Sequence, residues 1–106
     1  MVKIKICDDF TDTPGGRFVK EGEFSGELFR DKILYPKLME AKEDKLIVDF
    51  DGCYGYGTSF LEEAFGGLVR EYNVKGLLNK LIIISKEDES IPKLVTKYIR
   101  DAEDKL

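Results

Sequence analysis

Two short, nearly unbroken apolar runs, residues 46–50 (LIVDF) and 81–84 (LIII), set the strongest limit on how this chain can fold. Each has the length of a strand, and runs of this kind mark central strands covered on both faces, or nearly so. Between them, Phe60, Leu61, Ala64, Phe65, Leu68, Val69 and Tyr72 recur in steps of three and four, which predicts a helix over residues 60–72. Ser59 stands before it with Glu62 three positions on, the pattern of a capping box. After the second run, Ile91, Leu94, Val95, Tyr98, Ile99 and Ala102 repeat at helical spacing behind Ser90. Upstream, Val2, Ile4 and Ile6 alternate with Lys3 and Lys5 as in a strand with one wet face, and DDFTDTPGG at 8–16 reads as a loop. Residues 17–20 could add a short second strand. Ser25 then caps a helix bearing Leu28, Phe29, Ile33, Leu34, Leu38 and Met39, which Pro36 should bend or restart near Tyr35. Strands alternating with helices imply right-handed crossovers and parallel pairing. The expectation is a small α/β sandwich, a mixed or mostly parallel four-stranded sheet with about three helices, forming one domain over residues 1–106.

Composition narrows the function. The 106 residues carry 17 Lys+Arg against 21 Asp+Glu, a net charge of -4, with no basic stripe to attract nucleic acid or an anionic membrane. With no histidine, triads, imidazole acid–base catalysis and imidazole metal ligation all lose a member. Cys7 and Cys53 lack CxxC spacing and read as reduced, buried thiols. The opening MVKIKICDDF has no apolar leader, so a soluble, cytoplasmic protein is expected, with neither metal nor cofactor.

In an α/β sheet, partners gather outside the carboxyl ends of the strands. The segment DFDGCYGYGTSF occupies that place. Gly52, Gly55 and Gly57 allow tight turns, but the Lys of a phosphate-binding P-loop is missing and the glycines do not make GxGxxG. Asp49 and Asp51 read as turn anchors, and an enzyme built on either of them with Cys53 lacks an orienting base. Ser59 has two readings: a helix cap, or a phosphorylation site whose added charge at the helix start switches a partner. On a regular helix Gly66 falls opposite the apolar face, beside Glu62 and Arg70, with Gly67 on the flank near Glu63. A glycine patch edged by Glu62, Glu63 and Arg70 suits another chain, while close packing within the same chain is the alternative. Arg17, after the PGG turn, reads as a tie to a carboxylate, and Lys86 to Glu89 as solvated loop charges.

PGGR at 14–17, SGELFR at 25–30, and VDFDG with GYGTSFLEEAFGGLVR across 48–70 together resemble the bacterial STAS-like domains of unknown function, DUF4325, over nearly the whole chain. Those domains are similar to STAS domains and anti-sigma-factor antagonists, so the resemblance implies a sheet with helices packed against it. It also implies a non-enzymatic regulatory domain that docks proteins through this loop and helix. In the antagonists, a serine at the start of the helix after a central strand is phosphorylated by a histidine-kinase-like ATPase. Ser59 matches that position, with Thr58 before it; Gly57 and Phe60 depart from the antagonist pattern. The expected partner surface is therefore Gly55, Tyr56, Gly57, Thr58, Ser59, Glu62, Glu63, Gly66 and Arg70, without catalytic residues. The alternative is a sensor holding a small anionic ligand or nucleotide at the glycine loop.

Overall fold

The computed structural model describes residues 1–106. Strand β1 (Lys3–Lys5) pairs in parallel with β2 (Leu46–Asp49), and β2 with β3 (Leu81–Ile84). The register places Ile4 beside Val48 and Val48 beside Ile83. The sheet has three strands in the order β1-β2-β3, not four. Residues 17–20 form no strand; a single 3-10 turn, Val19–Glu21, lies there instead. The reason is local: Arg17 is drawn toward Glu62 and Glu63, and the backbone amides of Phe18 and Val19 are taken by Glu21 and Glu27 side chains, so no ladder can form.

Strand β1 stops at Lys5 because the next residues, Ile6–Asp9, close one helical turn (α1), with the Asp9 carboxylate accepting from the Lys5 amide at 2.8 Å. Helix α2 spans residues 26–41. Ser25 caps it as expected, its hydroxyl accepting from the Leu28 amide at 3.1 Å. Ahead of Pro36 the winding loosens into a π turn, Arg30–Leu34, and then returns to α geometry over Tyr35–Ala41. A proline without an N–H tolerates this, since the preceding turn must re-route its carbonyls in any case. Helix α3 covers residues 58–72 and contains a second π turn, Glu62–Gly66. Helix α4 (Ser90–Glu103) is uninterrupted and buries Ile91, Val95, Ile99 and Ala102.

With sequential order and right-handed crossovers, both connecting helices fall on the same side of the sheet. The core of 21 buried residues forms there, from Ile4, Leu46, Val48 and Leu81 of the strands against Phe29, Leu34, Phe60, Phe65, Leu68, Val95 and Ile99 of the helices. The opposite face carries Lys3, Lys5, Ile47, Asp49, Ile82 and Ile84, as strand alternation requires. Coverage on both faces, expected from the two apolar runs, is therefore not found: Ile82 is 37% exposed. No helix is long and apolar enough to cross a membrane.

Candidate functional site

The loop leaving β2 is fixed at its base and free at its tip. At the base, the Asp49 carboxylate accepts from the Asp51 amide at 2.9 Å, and Asp51 accepts from the amides of Lys86 and Glu87 at 3.1 and 3.0 Å. Glu87 in turn accepts from the Gly52 amide at 2.7 Å. Both aspartates are the turn anchors anticipated from sequence, and hydrogen bonds from the Glu87 and Lys86 amides hold Asp51 below the ordinary aspartate range. Glu87 and Asp88, by contrast, are more than solvated charges. Asp88 accepts from both the amide and the hydroxyl of Ser90 and so performs the capping of α4 assigned to Ser90. Gly52 adopts φ 93°, and a Cβ there would lie 2.7 Å from the Cys7 sulfur.

Above this base, the Tyr56 hydroxyl donates to the Phe50 carbonyl at 2.8 Å and touches the Cys53 sulfur at 2.9 Å. Burial drives the Tyr56 phenol far above its ordinary value and pushes the Cys53 thiol up as well. A thiol kept protonated is a poor nucleophile, so the pair serves as a hydrogen-bonded pin for the loop. The tip is open. Tyr54 is 86% exposed, and Gly55, Gly57, Thr58 and Ser59 are exposed as well. The helix starts at Thr58 behind Gly57, with no side-chain cap. The capping box read from Ser59 and Glu62 is absent because Ser59 lies inside the first turn and Glu62 is engaged elsewhere. The Ser59 hydroxyl makes no hydrogen bond within the chain.

Glu62 is clamped by two arginines, Arg17 at 2.5 Å and Arg70 at 2.5 and 3.1 Å. The hydrogen bonds from Arg70, and from Arg17 behind it, outweigh burial and hold its carboxyl below the usual glutamate range. This clamp covers Gly66, whose added Cβ would lie 2.5 Å from the Glu62 carboxylate and 3.2 Å from the Arg70 guanidinium. Gly66 is accordingly buried, and the open glycine patch anticipated from sequence is closed over by side chains of its own helix. Glu63 is also inside, 6% exposed, paired with the equally enclosed Arg30 and 3.3 Å from Arg17. That ion pair lies over Gly67, where a Cβ would be 2.8 Å from Arg30. One turn away, Gly26 of α2 meets the Phe60 carbonyl so closely that a Cβ would be 2.5 Å from its oxygen. Asp31 holds the other side of Arg30 and accepts from the Tyr72 hydroxyl at 2.8 Å, while Tyr72 stacks on Tyr35 at 3.8 Å.

Of the expected partner surface, Gly55, Gly57, Thr58 and Ser59 are therefore gathered on one exposed edge, Tyr56 is half-buried beneath them, and Glu62 and Arg70 lie along the adjoining rim. Glu63 and Gly66 form the floor under that rim. Sequence reasoning did not single out Arg30, Gly26 or Tyr54. The available signal was an arginine directly after Phe29 on an apolar helix, matched by a glutamate among the apolar residues of the next one.

A three-stranded parallel sheet under a single layer of helices, with its variable loop at the carboxyl end of the central strand, defines a small α/β scaffold of STAS-like type. The family model described as "STAS-like domain of unknown function (DUF4325)" matches residues 25–91, and the chain belongs to that family. The matched stretch takes in both π turns, the Arg30–Glu63 pair and the loop, whereas Arg17 reaches the clamp from outside it. No curated protein and no solved structure matches the chain.

Proposed function

We propose that this chain is a non-catalytic regulatory module that docks a protein partner through residues 54–59 and the adjoining Arg17–Glu62–Arg70 rim. The observation that carries the reading is the contrast within one segment. Every polar group at the loop base is spent on the fold, while Tyr54, Thr58 and Ser59 stand exposed on a backbone that the base holds rigid. Preorganised exposed groups lose little entropy on binding, which favours recognition. Glycines at 55 and 57, with open space around them, let a partner's backbone approach closely.

Ser59 supplies a switch. Its free hydroxyl lies in the first turn of α3, where a phosphoryl group would be stabilised by the helix dipole and by unspent amides. The same added charge, placed one turn from Glu62, would alter the rim that a partner reads. A histidine-kinase-like ATPase is the partner class that such a serine implies. A sensor for an anionic ligand has less support, because the cavity beside the loop, about 210 Å³, is lined by Asp51, Glu87 and Asp88, charges of the wrong sign.

A photo-reactive residue placed at position 54 or 59, with position 97 on the far helix as control, tests the docking site in host cells. The expected result is a crosslink to an ATPase of that type from 54 and 59 and none from 97. Equal labelling from all three positions, or none from the loop, contradicts the proposal.

A further inference from the structure

The second face of the sheet points to another interaction. Ile47, Ile82 and Ile84 project from it, and none of them packs against the core. Parallel sheets occur almost entirely with both faces covered, so an apolar row left to water on a parallel sheet marks burial that the chain does not complete by itself.

The dimensions and charges of that face restrict what fits. Three strands spaced about 4.8 Å apart present a surface about 10 Å wide, the diameter of a single α-helix with its side chains, about 10 Å. Lys3 and Lys5 approach one shared carboxylate, Asp49, at 3.9 and 3.4 Å. Two ammonium groups against one carboxylate leave the β1 side of the face positive on a chain whose net charge is -4. Apolar residues occupy the β2 and β3 side. A second copy of the chain is a poor match: a twofold axis laid in the face sets Lys3 and Lys5 against their own copies or against Ile82 and Ile84, with Asp49 meeting Asp49 near the centre.

We propose that this face docks one amphipathic helix of a partner protein, its apolar stripe covering Ile47, Ile82 and Ile84 and its acidic edge meeting Lys3 and Lys5. The site lies across the sheet from the helix layer and does not depend on the loop described above.

The probe is a synthetic helical peptide of about 15 residues, with leucines at i, i+3, i+4 and i+7 and glutamates along one flank, set against a twin in which lysines replace the glutamates. Titrated into isotope-labelled protein, the acidic peptide should shift amide resonances of residues 3–5, 46–49 and 81–84 and leave 54–59 in place. Ile82→Asp and Lys3→Glu should each weaken it by about tenfold with the melting transition retained, and the lysine twin should bind more weakly by a similar factor. The proposal is overturned if neither peptide binds, if both bind equally, or if the shifts fall elsewhere. A concentration-dependent dimer that Ile82→Asp abolishes would assign the face to a second copy instead and overturn it too.

Discussion

Three glycines in the interlock between α2 and α3 are small for different reasons, and the differences are measurable. At Gly26 an added Cβ meets backbone, the Phe60 carbonyl oxygen at 2.5 Å, which cannot move without separating the helices. Gly26→Ala should therefore cost about 2 kcal/mol, the range of overpacking in a tight core, read as a lower urea midpoint. At Gly66 the same Cβ meets the flexible end of Glu62. There the helix-propensity gain of about 1 kcal/mol offsets the displaced surface ion pair, worth about 0.2–1 kcal/mol, so Gly66→Ala should leave the midpoint nearly unchanged. The sequence placed Gly66 on a wet face because a helical wheel assumes 3.6 residues per turn throughout. The apolar positions 60, 64 and 68, with 61, 65 and 69, step strictly by four, which drifts by about 40° per turn on such a wheel. The π turn at Glu62–Gly66 absorbs the drift, and the strict step of four was the sign of it.

At the scale of elements, α2 and α3 are fastened where both depart from α geometry. The Arg30–Glu63 pair spans the two π turns, each side chain only 7% exposed. Removing one partner strands a buried charge, so Glu63→Ala should cost about 3 kcal/mol. The double replacement Arg30→Met with Glu63→Leu should cost far less than the two single changes together, which a double-mutant cycle in urea would show. Acid should loosen the same region. Glu62, held down by hydrogen bonds from Arg70 and Arg17, and Asp31, held down by Arg30 and Tyr72 despite burial, bind protons more weakly folded than unfolded. Their contribution is complete above the ordinary carboxylate range and is lost as pH falls below it through the depressed folded values. Urea midpoints measured from neutral pH downward should fall only in that acidic window, and Glu62→Gln should flatten part of the fall. The existence of the three long helices was legible from periodicity alone. Their caps were legible only where the capping side chain has no competing partner: Ser25 is free to cap α2, whereas Glu62 is taken by arginines distant in sequence and Ser90 is itself held by Asp88.

Across the whole molecule, alternation of strand and helix was enough to indicate a parallel α/β sheet, and the motif residues were enough to indicate the family. The absent fourth strand and the single covered face were not legible, because both depend on contacts between distant segments: Arg17 reaching the Glu62 clamp, and crossovers of one hand in sequential order. The same long-range contacts divide the expected partner surface into an exposed edge, Gly55 to Ser59, and an internal lock that includes Glu63 and Gly66. Docking therefore belongs to the edge. Its most direct test is the affinity of the partner captured at position 59, measured by calorimetry for the unaltered chain, Ser59→Asp and Gly66→Ala. The account predicts about tenfold weaker or tighter binding for Ser59→Asp, a change of about 1.4 kcal/mol, and an unaltered affinity for Gly66→Ala; the reverse pattern would contradict it.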